Sequence, residues 1–132
     1  MHDLLIGRVQ AGKNDASRWL SKFNEAYSHK TGMSVFPGSL NLVLEHPFDW
    51  FEPRYRERTV WFGREEYGGE RDILLLPCEL MSLEARAAFL WTTTIGARDR
   101  PEPRIVEIIT DIGLRKVHGL VDGDIVSLKI RG

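Results

Sequence analysis

The sequence predicts a mainly β domain, a small closed barrel of six strands with one or two short helices. At least six short apolar stretches are rich in β-branched and aromatic residues, and turn-forming Gly, Pro, Asn and Asp separate them. Only one or two stretches show helical spacing. A small sheet must also hide its unpaired edges, and closure into a barrel does this. The 132 residues suffice for one core but not for two ordinary domains, so we expect residues 1–132 to form a single domain.

The first third of the chain begins with a predicted strand at 4–9, followed by a loop at 11–15. Five apolar or aromatic residues then recur at helical spacing: Ala16, Trp19, Leu20, Phe23 and Tyr27. One helix could include all of them, or a hairpin could precede a shorter helix at about 22–30. Gly32 is a plausible stop for either helix.

The next predicted strand is Ser39–Leu44, which follows a Pro-Gly turn. Alternation places Ser39, Asn41 and Val43 on one side of this strand and three leucines on the other. The aromatic and charged connector at 48–55 has no clear period, which predicts a long excursion over a core or a ligand.

The remaining strands are predicted at five places: 58–63, 72–76, 87–94, 105–109 and 125–130. The first two flank a turn at 67–70 and therefore form a hairpin. Cys78 is the only cysteine, so no internal disulfide can form, and the apolar residues before it predict burial.

The overall charge gives no sign of a surface for nucleic acid or membrane. The net charge is -1, from 18 basic and 19 acidic residues, and the sequence has no basic stripe. No segment approaches the length of a transmembrane helix, and no basic run precedes an apolar core at the N-terminus. We therefore expect a cytoplasmic protein, a monomer or weak homo-oligomer, that binds neither nucleic acid nor membrane.

Two polar side chains at the start of the 39–44 strand form the first candidate site. The Ser39 hydroxyl and the Asn41 amide carbonyl share one face of the strand, about 7 Å apart along it. Neutral oxygens so arranged suit Mg²⁺ carrying phosphates, because this ion keeps several waters and takes few protein ligands. The alternative is a strand entry with two solvated polar residues.

Three further segments could bind ligands, and each has a purely structural alternative. The loop at 12–15 could present backbone N–H groups and Lys13 to a phosphate, or it could be a surface turn. Glu107 interrupts an apolar strand, where it either faces solvent or lines a ligand pocket. Arg115 begins a possible helical turn that could meet an anion, or it is a plain surface arginine. We interpret Asp122-Gly123-Asp124 as a turn, and the histidines lack the spacing of zinc ligands.

Taken in order, these segments resemble the archaeal-type CTP-dependent riboflavin kinase family over almost the whole chain. The most specific segment is Pro37-Gly38-Ser39-Leu40-Asn41, where the family usually has Pro-Gly-Thr-Leu-Asn, and serine in place of threonine keeps the hydroxyl. The carboxy-terminal quarter is the other specific part, whereas 46–100 matches only in pattern.

The resemblance implies a cradle-loop barrel in which CTP phosphorylates riboflavin to give FMN and CDP. It also implies that Ser39 and Asn41 hold a Mg²⁺ cofactor and that Glu107 contacts the flavin. Nucleotide contacts are implied for two sets of residues: Gly12, Lys13, Asn14, Asp15, Ala16 and Ser17, and Ile112, Gly113, Leu114 and Arg115. No residue is assigned as the catalytic base.

The loop at 12–16 differs from the Gly-x-Gly-x-Gly pattern typical of that family, because Asn14 and Ala16 occupy the places of two glycines. Asparagine tolerates left-handed backbone angles, and Lys13 could compensate with its charge. The leading hypothesis is a CTP-dependent riboflavin kinase. The alternative is a non-catalytic barrel with a degraded phosphate loop that binds a flavin or nucleotide, or regulates a partner.

Overall fold

A closed barrel of six antiparallel strands forms the centre of the computed structural model, which describes residues 3–12, 15–94 and 101–131. The described residues form seven strands: β1 (Leu4–Gln10), β2 (Leu40–Leu44), β3 (Val60–Phe62), β4 (Asp72–Leu80), β5 (Arg86–Thr94), β6 (Ile105–Ile109) and β7 (Ile125–Ile130). They make one sheet in the order β3-β4-β5-β6-β2-β1-β7, and an additional pairing of β4 with β7 closes it. The mainly β, six-stranded barrel predicted from the sequence is confirmed.

The seventh strand, β3, lies outside the barrel because it shares one edge of β4 with β7. The start of β4 pairs with β3, with Leu75 opposite Val60, and the end of β4 pairs with β7, with Cys78 opposite Ile130. The predicted hairpin of β3 and β4 is therefore present. A short helix, α4 (Arg64–Tyr67), lies in the connection between these two strands.

The helices are short and lie on connections between strands. With α4, the described residues contain α1 (Asp15–Lys22), α2 (Asn24–Thr31), α3 (Pro53–Arg56) and α5 (Leu114–His118). The predicted first helix is divided at Phe23 into two helices of eight residues each. Gly32 ends α2 as expected, with a left-handed φ of 74° that a residue without a Cβ adopts at little cost.

The interior of the barrel is an apolar core to which all six strands contribute. Leu42 from β2, Leu76 from β4 and Leu128 from β7 are fully buried there. The connector after β2 adds three buried aromatic rings to the same core: Phe48, Trp50 and Tyr55. The predicted excursion of this connector over a core is thus confirmed.

A second apolar cluster lies on the outer side of β4, β5 and β6, beneath α1 and α2. Its fully buried members include Leu20 and Tyr27 from the helices and Leu75 from β4. Neighbouring residues of β4 belong to different clusters, Leu74 to the inner core and Leu75 to the outer one. This part of the sheet is covered on both sides, which explains the unbroken apolar run in β4.

Cys78 belongs to the inner core, as predicted, and burial raises the pKa of its thiol to about 12. The thiol therefore stays protonated at neutral pH and serves as a packing group. In the part of the chain that the structure describes, no helix is long and apolar enough to cross a membrane. The cytoplasmic location and the oligomeric state stay predictions.

Candidate functional site

The candidate site is built on one row of residues that crosses four neighbouring strands. Gln10 of β1 lies opposite Asn41 of β2, Asn41 lies opposite Glu107 of β6, and Glu107 lies opposite Trp91 of β5. Residues directly opposite each other in a sheet point to the same face. The row faces away from the inner core, because Leu40, Leu42 and Leu44 take the inward positions of β2. Glu107 thus faces out of the barrel and lines a cavity, while its predicted contact with a flavin stays a prediction.

Ser39 joins this row immediately before β2. Its hydroxyl donates a hydrogen bond of 3.0 Å to Oε1 of Glu107. Ser39 and Asn41 share a face of the strand, as alternation predicted, and both line the same cavity. The hydroxyl proton points to the carboxylate, so the oxygen lone pairs of Ser39 remain available to a cation or a water.

Gly12 brings the loop after β1 against Asn41. A Cβ built on Gly12 would lie only 2.9 Å from both Oδ1 and Nδ2 of Asn41. Real side-chain carbons essentially never come this close, so a Cβ at position 12 would force the loop or the Asn41 amide to move. Gly12, the Ser39–Asn41 segment and Glu107, which are far apart in the sequence, therefore meet at one place.

These residues line a central cavity of about 360 Å³. Its wall also contains Ala16, Ser17, Gly38, Arg115 and Asp122. The Arg115 guanidinium donates a 2.6 Å hydrogen bond to Oδ1 of Asp122 at the exposed rim. Asp122 belongs to the predicted turn, where Gly123 has a φ of 94°. Among the described residues, Arg115 is thus the cationic side chain that lines this oxygen-rich cavity.

A larger aromatic cavity of about 510 Å³ adjoins the central one, between the outer wall of the barrel and α1, α2 and α4. Gly12, Asn41 and Glu107 line both cavities. Five aromatic side chains line the larger one: Trp19, Phe23, Tyr27, Tyr67 and Trp91. A 3.1 Å hydrogen bond from Nε1 of Trp91 to the Tyr27 hydroxyl stabilises its shape. Burial also raises the pKa of this hydroxyl, which therefore stays protonated.

A third cavity of about 200 Å³, here called the Phe36 cavity, lies on the other side of the central one. Gly38, Ser39 and Arg115 line both. Ile112, Gly113 and Leu114 line only the Phe36 cavity. Those of the predicted nucleotide contacts that the structure describes are therefore divided between two adjoining cavities, and Arg115 lines both.

The loop after β1 is placed only in part. Gly12, Ala16 and Ser17 line the central cavity. Lys13, Asn14 and the side chain of Asp15 lie outside the described residues, so their predicted phosphate contacts stay predictions. The helical spacing of Trp19, Phe23 and Tyr27 predicts a helix but not that the three rings line a cavity. Their shared helical face was the available signal.

The donor set suits a hard cation held largely by water and phosphate. Ser39 offers a hydroxyl and Asn41 an amide carbonyl, with the Glu107 carboxylate beside them. Among residues 3–12, 15–94 and 101–131, no group of three or more His, Cys, Asp or Glu side chains could hold a metal by itself. Mg²⁺ fits this arrangement, since it keeps several waters and commonly binds through substrate phosphates.

Comparison with known proteins decides the family. The model of the CTP-dependent riboflavin kinase family, described as "Domain of unknown function DUF120", matches residues 9–130. The chain belongs to this family. The matched range includes every residue that lines the central cavity, and the resemblance drawn from the Pro37–Asn41 segment is confirmed.

Curated relatives within the family are named riboflavin kinases. A protein from Ignicoccus hospitalis is 27% identical, over 96% of this chain and 70% of its own length. One from Pyrobaculum aerophilum is also 27% identical, over 96% of this chain and 60% of its own length. A third, from Staphylothermus marinus, is 25% identical, over 96% of this chain and 90% of its own length. The chain thus spans between 60% and 90% of the length of these three relatives.

Proposed function

We propose that this barrel is a riboflavin kinase that transfers the terminal phosphate of CTP to riboflavin, giving FMN and CDP. The observation that carries the proposal is the meeting of two cavities at Asn41 and Glu107. A reaction between two bound substrates needs such a junction, because the reacting atoms must be held close together and in line. The names of the curated relatives support the kinase activity, and the family name supports CTP as the donor.

The central cavity is the place for the phosphates. Gly12 lets the loop backbone approach closely, and Arg115 adds a positive charge that can pair with phosphate oxygens. Ser39 and Asn41 would hold the Mg²⁺ ion there. When bound, this ion neutralises negative charge on the phosphates and orients them.

The aromatic cavity is the place for riboflavin. Trp19, Phe23 and Trp91 offer flat apolar surfaces of the kind on which a tricyclic flavin ring packs. Glu107 lies at the end of this cavity that opens to the phosphates. A flavin ring held by the aromatic residues would thus direct its hydroxylated chain toward the site of transfer.

The transfer itself requires little covalent work from the protein. The terminal hydroxyl oxygen of riboflavin attacks the γ-phosphorus, the bond from that phosphorus to the β–γ bridging oxygen breaks, and CDP leaves. The hydroxyl proton passes to the Glu107 carboxylate. Positioning and charge neutralisation supply most of the acceleration, because the transition state is loose.

A direct assay tests the proposal. The protein is incubated with riboflavin, Mg²⁺ and each of CTP, ATP, GTP and UTP in turn, and FMN is measured by chromatography. We expect FMN with CTP and much less with the other donors. No FMN with any donor, together with measurable binding of FMN or CDP, would identify the non-catalytic binding barrel instead.

Substitution of Gly12 tests the contact between loop and amide. Gly12→Ala would place a methyl group within 3.0 Å of the Asn41 amide carbon, so the loop or the amide must move. We expect the affinity for Mg²⁺ and CDP to fall roughly 10-fold, because small displacements of positioning groups are costly. Isothermal titration calorimetry on the folded variant measures both affinities.

The control for Gly12→Ala is the same change in an Asn41→Ala background, where the clashing amide is gone. There the extra loss is expected to be less than about 2-fold, since the two residues interact directly. Equal losses in both backgrounds would show that Gly12 does not act through Asn41.

A further inference from the structure

Phe36 is a large apolar side chain that remains exposed beside the central cavity, where the phosphates are proposed to bind. Its relative exposure is 42%, although most large apolar side chains of the described residues are buried. Its backbone is held firmly: the Phe36 N–H donates to the Thr110 carbonyl at 2.8 Å, and its carbonyl accepts from Gly38 N–H at 2.8 Å. The residue is thus anchored between the end of β6 and the start of β2.

Two glycines leave room for the ring of Phe36. A Cβ built on Gly113 would lie 2.9 Å from the ring, and one built on Gly38 would lie 3.0 Å from it. Any side chain at either position would push the ring away. The ring therefore rests on two bare backbone segments, and its exposed surface belongs to the wall of the Phe36 cavity.

The Phe36 cavity has the character of a site for one flat ring. Its floor is formed by Leu40, Ile108 and Leu114, which are buried and apolar. At about 200 Å³ it is less than half the size of the aromatic cavity at about 510 Å³. Arg115, at its boundary with the central cavity, suits a ligand that carries negative charge beyond its ring.

We propose that Phe36 is the stacking platform for the nucleobase of the nucleotide donor. This inference rests on the proposed function, and it assigns a role to a residue outside the 112–115 segment. An aromatic face stacks on any base, so Phe36 contributes affinity for the base without selecting which base is bound. Discrimination between one base and another therefore depends on groups that hydrogen-bond to the edge of the bound base.

The three cavities then form a continuous path for the two substrates. The base lies in the Phe36 cavity, the phosphates lie in the central cavity, and the flavin lies in the aromatic cavity. Gly38 and Ser39 connect the first two, while Asn41 and Glu107 connect the last two. The substrates thus approach from opposite ends, as in-line transfer of a phosphoryl group requires.

The test compares Phe36→Leu and Phe36→Tyr with the wild-type protein. Titrations with Mg²⁺ measure the binding of CDP, UDP and inorganic tripolyphosphate, and a separate titration measures riboflavin. Phe36→Leu is expected to weaken CDP and UDP alike by roughly 10-fold or more, because a stacked base is lost. Phe36→Tyr keeps the aromatic face and should stay within about 3-fold of wild type.

Tripolyphosphate is the matched probe, because it carries the phosphates without a base. Its affinity and that of riboflavin are expected to be unchanged in Phe36→Leu. Unchanged CDP binding would overturn the inference, and so would an equal loss for tripolyphosphate, which would show a structural effect. A loss for riboflavin alone would assign the cavity to the flavin and also overturn it.

Failure of this inference is distinguishable from failure of the proposed function. Wild-type protein that binds neither nucleotide nor tripolyphosphate would contradict the proposed function, and the inference with it. Wild-type protein that forms FMN while Phe36→Leu binds CDP normally would contradict the inference alone. Thermal unfolding verifies that each variant folds, and Phe36→Met replaces Phe36→Leu if the latter does not.

Discussion

Asn41→Ala is expected to reduce the turnover of riboflavin roughly 100-fold or more, a loss of about 3 kcal/mol of transition-state stabilisation. The substitution removes an oxygen that faces the central cavity and lies against Gly12. Asn41 is only half-buried, so the thermal unfolding temperature should change little. Steady-state kinetics with CTP and riboflavin measure the effect, and the Mg²⁺ concentration for half-maximal rate should rise.

The matched control is Val43→Ala, on the same strand and face but outside the lining of all three cavities. It removes side-chain volume from the outer face of the barrel without removing an oxygen. We expect its turnover to stay within a few-fold of wild type. Activity of Asn41→Ala within that same range would remove Asn41 from the site.

Glu107→Gln is expected to lower kcat roughly 100-fold or more, the usual size of a lost general base. The amide keeps the shape of the side chain and can still accept the hydrogen bond from Ser39. It cannot take the hydroxyl proton of riboflavin. Because binding contacts are largely kept, the KM for riboflavin should change much less than kcat.

The control for this change is Glu70→Gln, because Glu70 lines the aromatic cavity but not the central one. It should retain nearly full kcat, since its carboxylate does not reach the phosphates. If Glu107→Gln instead raised the KM for riboflavin and left kcat intact, Glu107 would only orient the flavin. That result would agree with the contact implied by the family resemblance and would exclude the role as base.

The strand faces at the site could be predicted from the sequence, because side-chain direction alternates along a strand whatever its partners are. This rule placed Ser39 and Asn41 together and set Glu107 apart from its apolar neighbours. The first helix was less predictable. Its apolar spacing did not distinguish Leu20, which is fully buried in the outer cluster, from Trp19 and Phe23, which line a cavity. Packing against the barrel made that distinction.

From its sequence alone, the protein was determined to be a small β-barrel of the riboflavin kinase family with polar oxygens at the start of β2. Only the tertiary structure decided that Asn41 lies opposite Glu107, and that Glu107 lies opposite Trp91. It also decided that the Phe36 ring rests between Gly38 and Gly113. The physical reason is that strand register and loop contacts depend on pairing between segments far apart in the chain. Closure of the barrel selects one such pairing, and local sequence patterns do not record it.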